Sequence, residues 1–214
     1  MRMLILIKRE IEDHFVYFIS AAILSAILVV LCISSAIRVG AGVSDAPDVE
    51  MAISFPVAVI VVICLTAMGT SQMYSDKNNR ISAFLSTLPT SRSAILTARV
   101  ITGLLAVLLL LLPVSIGGYF LVGIFAPSVP TFTQIFIEIA IAVFLMCVAC
   151  YCMGLLTGWT SSRVVPTLGA LLLACVLVPL IIIKGFGLQL DIILLLFIIA
   201  SLTHTWCKFS TASL

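Results

Sequence analysis

The chain has 214 residues, of which 63% are hydrophobic and 9% charged, with a formal net charge of +2 and a mean hydropathy of +1.33. Soluble domains carry roughly a quarter charged residues, so this composition excludes one. The small, dispersed positive charge excludes a nucleic-acid partner.

Because lipid offers backbone groups no hydrogen-bond partner, a spanning segment must be a helix or part of a closed barrel. Unbroken apolar runs, rather than alternation, select helices. The chain therefore reads as an all-α integral membrane protein, a single transmembrane domain over residues 1–214.

The first element, MRMLILIKREIEDHF, is a poor signal peptide, because Lys8 to Asp13 place charges where an apolar core should begin. It is expected to be retained as an amphipathic interfacial helix over 1–13. Leu4, Ile7 and Ile11 share one side, and Lys8 with Glu12 and Arg9 with Asp13 stand at i, i+4 spacing. A simple membrane anchor and a contact with a cytoplasmic protein suit it equally.

A span needs about 20 apolar residues. Six segments qualify, at approximately 14–37, 51–73, 96–123, 132–158, 165–184 and 191–207. With the N-terminus inside, nine of the eleven Lys and Arg residues fall on the inner side and only Arg38 and Lys184 outside, so both termini are expected in the cytoplasm. The outer loop 38–50 carries Asp45, Asp48 and Glu50.

The main inner loop, YSDKNNRISAFLSTLPTSRSAILTARV, lies between the second and third spans. Ile81, Phe84, Leu85 and Leu88 follow i, i+3, i+4, i+7, which predicts a short amphipathic helix from about Arg80. Pro89 ends it. Thr90 or Ser91 can cap a new helix running through Arg92 and Arg99 into the third span. Periodicity leaves two roles open for the short helix. It can lie among headgroups with Lys77, Arg80 and Arg92 on phosphates, or dock its apolar face in a groove on a cytoplasmic partner.

Within the spans, Glu138 is the one carboxylate placed in the bilayer, a few residues into the fourth helix, and is a candidate for a substrate pathway. Cys147, Cys150 and Cys152 read as small packing residues rather than metal ligands, and no metal or catalytic site is expected. Gly154 and Gly158 form a GxxxG that permits close helix approach, within the chain or in a dimer seam. Pro113 and Pro179 should kink the third and fifth spans. Lys184 and Asp191 flank the last outer turn and read as a loop-side pair.

The segment Leu85 to Arg99, LSTLPTSRSAILTAR, resembles the cytoplasmic loop of the ATP-binding-cassette type-2 exporter permeases, where a Leu-Pro-x-Ser-Arg segment follows the second span. The six-span plan, the amphipathic N-terminal helix and the length are similar to that family too. The stretch Asp76-Lys77-Asn78-Asn79 departs from the Glu-x-x-x-Gly that often opens this loop there. The resemblance implies a coupling helix over about 80–89. Arg80, Ile81, Phe84, Leu85, Leu88, Pro89 and Arg92 would then contact a separate cytoplasmic ATPase subunit that binds ATP and Mg.

It also implies a second permease copy or a sister permease, and residence in the cytoplasmic membrane. No Gly-Lys dipeptide occurs anywhere in the chain, so a phosphate-binding G-x-x-x-x-G-K-[ST] loop is excluded, and this subunit is not expected to be an enzyme. An ion-coupled carrier or channel is the alternative. A membrane-embedded enzyme or an assembly factor has still less in its favour, since no H-E-x-x-H or G-x-S-x-G motif is present.

Overall fold

In a computed structural model of the chain, the described residues are 2–40, 47–78, 92–125, 130–158 and 187–211. They form six helices: α1 (Arg2–Asp13), α2 (Phe15–Gly40), α3 (Pro47–Asn78), α4 (Arg92–Phe125), α5 (Pro130–Thr157) and α6 (Leu188–Thr211). Five of them, α2 to α6, are long and apolar enough to cross a membrane. The chain is thus an all-helical, multi-pass membrane protein. These five match the expected first, second, third, fourth and sixth spans. The expected fifth span at 165–184, with Pro179 in it, lies outside the described residues.

Each boundary has a local cause. Helix α1 closes at His14, whose backbone N–H donates to the Glu10 carbonyl at 3.1 Å, and α2 begins at once, with Tyr17 N–H donating to the His14 carbonyl at 3.0 Å. The expected ion pairs Lys8–Glu12 and Arg9–Asp13 form at 3.9 and 3.8 Å. Both are solvent-exposed, so each is worth only a few tenths of a kcal/mol. Helix α3 starts at Pro47, so the outer connection is shorter than the expected 38–50. Asp48 and Glu50 therefore fall within α3, whose first residue is a proline, favoured at that position. Helix α4 opens at Arg92 and continues through Pro113 as one 34-residue helix.

The packing places α4 at the centre, where it touches every other described helix, while α3 runs against α5 and α5 against α6. Helix α2 lies on α4 but is otherwise peripheral and apolar all round, with Val16 75% and Val30 63% exposed. That pattern suits contact with hydrocarbon.

The α3–α5 seam is made by small residues. A side-chain methyl on Gly154 would fall on the Thr66 carbonyl, one on Gly69 would come within 2.6 Å of the Tyr151 carbonyl, and one on Gly158 within 2.7 Å of Met73 Cβ. The GxxxG therefore serves packing within the chain, since only glycine lets these backbones approach so closely. Cys147, Cys150 and Cys152 are all buried among the apolar residues of this interior.

Hydroxyl groups in this apolar setting are satisfied locally. Thr66, Thr70 and Thr102 donate to carbonyls one turn back, at 2.8, 2.6 and 2.9 Å to Val62, Thr66 and Ala98 respectively, as threonine does where no water is at hand. Ser201 instead reaches across from α6 to the Cys152 carbonyl on α5 at 3.2 Å.

Candidate functional site

At the end of the bundle where α1 lies, the chain leaves α3 at Asn78 and re-enters helix at Arg92. Residues 79–91, including Arg80, Ile81, Phe84, Leu85, Leu88 and Pro89 of the expected coupling helix, lie outside the described residues. Arg92 opens α4. What is described is the foot of the helices on either side, and it is a polar cluster buried in apolar packing.

Arg99 lies two turns into α4, in the helix expected to run through it into the third span, and is counted in the sequence among the inner-side cations. The structure adds that its side chain is buried. Its Nε donates to Glu10 Oε1 of α1 at 3.1 Å, with side chains 4% and 16% exposed respectively. The same guanidinium reaches the Met73 sulfur of α3 at 3.7 Å. Glu10 is gripped from a second side by His14, whose Nδ1 lies 3.5 Å from Oε2 and donates to the Glu10 carbonyl at 3.1 Å.

One turn of α5 completes the cluster. The Tyr151 hydroxyl lies 2.6 Å from Gln72 Oε1 on α3 and 2.9 Å from the Arg99 carbonyl on α4, two acceptors for its single proton. Gln72 is 1% exposed, and its Nε2 has no hydrogen-bond partner among the described residues. The ring of Tyr151 occupies the space that a side chain at Gly103 would need. Four helices thus converge on two linked contacts, Glu10–Arg99 and Tyr151–Gln72.

Such a cluster holds helices in one arrangement. Breaking a buried ion pair by removing one partner leaves an uncompensated charge, at a cost of about 3–5 kcal/mol. The contacts therefore tie α1 to α4, and α4 through its own backbone to α5.

Sequence reasoning did not single out Glu10, Gln72 or Tyr151. Glu10 stands three residues after Ile7 and so beside the apolar face of α1, a signal that an acid there must find a cation. Gln72 and Tyr151 are polar groups within spans and must find partners across helices, but the spacing does not say which.

At the opposite end, about 25 Å along α4 from Arg99, helices α4, α5 and α6 line an open apolar cleft of about 910 Å³. It runs from Leu108 to Phe120 on α4, against Phe136 to Leu145 on α5 and Asp191 with Leu195 on α6. Glu138 sits eight residues into α5 and is exposed; its neighbours Ile137 and Ile141 line the cleft, and it does not. Asp191 turns one carboxylate oxygen, Oδ1, into a buried position with no hydrogen-bond partner among the described residues. Lys184, its expected partner, lies outside them. Among the described residues no group of three or more His, Cys, Asp or Glu side chains could hold a metal ion. No protein-family model, no curated protein and no solved structure matches the chain.

Proposed function

We propose that this chain is the membrane-spanning permease subunit of an ATP-binding-cassette exporter. Substrate would cross the cytoplasmic membrane on ATP hydrolysed by a separate ATPase subunit, with a second permease copy or a sister permease completing the pathway. The observation that supports this reading best is the foot of α4. A 34-residue helix starts immediately after the polar insert that resembles a coupling helix, and it is clamped there to α1 by the Glu10–Arg99 pair.

Mechanically, a push on residues 80–89 enters α4 at Arg92. The helix carries it without interruption toward Phe125, and its contacts with every other described helix pass it on. The buried pair makes α1 move with the foot of α4 rather than slide past it. In this mechanism Arg80, Ile81, Phe84, Leu85, Leu88, Pro89 and Arg92 meet the ATPase. Both termini lie in the cytoplasm, and this chain contributes no nucleotide chemistry.

The test is affinity purification of the tagged chain from native membranes, which should bring down a soluble ATPase in stoichiometric amount. Charge reversal at Arg80 and Arg92, or Phe84→Ala, should then uncouple ATP hydrolysis from transport while membrane insertion stays intact. Recovery of the chain with no ATPase, or unchanged transport in those variants, overturns the reading. Glu138→Gln with transport intact would remove that carboxylate from the pathway.

A further inference from the structure

We propose that the far half of α4, residues 114–125, is a hinged flap that swings about Pro113 and so widens and narrows the cleft that α4 lines with α5 and α6. Burial divides this helix in two. Ile95, Leu96, Thr102, Val107 and Leu110 of the near half are all buried, whereas beyond Leu110 no described side chain of α4 is buried. Tyr119, Phe120 and Ile124 are each more than half exposed. The near half is held by its neighbours, and a segment with so few buried contacts moves at low cost. Pro113 stands where the change occurs, inside one continuous helix.

Proline also gives the motion a direction. Pro113 has no N–H for the Leu109 carbonyl, and its ring crowds that oxygen. The helix wall opens on the proline side, so a bend there carries residues 114–125 away from that side. Successive residues turn by about 100°, which sets Leu111 and Ser115, each two residues from Pro113, opposite it. Both line the cleft, and Pro113 does not. The bend is therefore toward the cleft. Phe136 of α5 is the stop: its ring lies against Gly118, where a side-chain methyl would come within 2.7 Å of it. Gly117 has nothing within 4 Å of an added methyl, so the contact is made on one face only. An axial push still passes through Pro113, because α4 is one helix; the hinge adds sideways freedom.

The flap is read from α4 and its neighbours and does not depend on the ATPase assignment. A bend of about 20° at a proline, acting over roughly 16 Å of helix between Pro113 and Ile124, moves Ile124 by about 6 Å. Pulsed electron–electron double resonance on the full chain in phosphatidylcholine nanodiscs measures this, with nitroxides attached through p-acetylphenylalanine so that the native cysteines stay in place. One labelled pair is Ile124 with Ile193 of α6, which adjoins the buried Leu194. The control pair, Leu104 with Ile199, joins the near half of α4 to the same helix; all four positions are exposed. In wild type the first pair should show a distance distribution broader than the control by about 6 Å. Pro113→Ala restores the N–H and should narrow it to the control width. Gly118→Ala should displace the Phe136 ring and shift the mean of the first pair, whereas Gly117→Ala should leave it in place.

A first-pair distribution in wild type as narrow as the control overturns the proposal, since the far half of α4 is then fixed in place. So does unchanged breadth in Pro113→Ala, which would put the motion elsewhere than at the proline. Equal responses to Gly118→Ala and Gly117→Ala overturn the role of Phe136 as the stop. Alanine favours helix at position 113, so that variant should fold, and the wild-type comparison decides the matter without it. None of these failures affects the ATPase purification.

Discussion

Arg99 and Tyr151 show how a few polar side chains order an otherwise apolar interior. Arg99 would be costly inside hydrocarbon alone, and Glu10 neutralises it at 3.1 Å. Glu10→Ala should therefore lower stability by about 3–5 kcal/mol, read as a fall in the midpoint of thermal unfolding in detergent. Amide exchange in α1 should rise at the same time. An exchanged pair, Glu10→Arg with Arg99→Glu, should recover part of the loss, whereas two independent effects would add. Tyr151→Phe removes the one proton that the Gln72 amide oxygen and the Arg99 carbonyl share as acceptors, and should cost about 1–3 kcal/mol.

Among the elements, the α3–α5 pair depends on the absence of side chains. Gly154→Ala drives a methyl onto the Thr66 carbonyl, which is backbone and cannot rotate away. Overpacking of this kind costs about 1–3 kcal/mol, and the same magnitude is expected for Gly103→Ala against the Tyr151 ring. Gly117 and Gly123 have nothing within 4 Å of an added methyl and stand within α4, so Gly117→Ala or Gly123→Ala should be neutral or slightly stabilising through helix propensity alone. Thermal melts of the four variants side by side check the contrast. The GxxxG was visible in the sequence, but whether it faced inward was not, because the same pattern serves a seam within a chain or between chains. The α3 surface that meets it, Thr66 and Gly69, carries no GxxxG of its own.

For the whole molecule, the arrangement separates two ends. Glu10, Arg99, Gln72 and Tyr151 gather at the end holding α1, and the cleft with Asp191 opens toward the other. The proposed topology, with both termini inside, puts Cys207 near the end of α6 on the cytoplasmic face. It is exposed, while Cys147, Cys150 and Cys152 are buried. In a variant keeping Cys207 as its sole cysteine, a membrane-impermeant maleimide should label inverted vesicles and spare intact cells; labelling of intact cells would reverse the topology.

The sequence by itself determined that the chain lives in a membrane and is helical there. Those conclusions need only composition and the requirement that backbone groups be paired within each segment. It also located five of the described helices to within a few residues at most ends, and the amphipathic α1, because hydrophobic length and periodicity are local properties. What only the tertiary structure decided is where the rare polar groups point. Arg99 looked like one of several inner-side cations, Glu10 like one acid in a charged run, Asp191 like a loop-side partner for lysine, and Glu138 like the one carboxylate within the bilayer. In the fold Arg99 and Glu10 meet, Asp191 turns an oxygen inward, and Glu138 is exposed. The physical reason is that partners 89 residues apart are chosen by how helices pack across one another, and no spacing along a single helix encodes that choice.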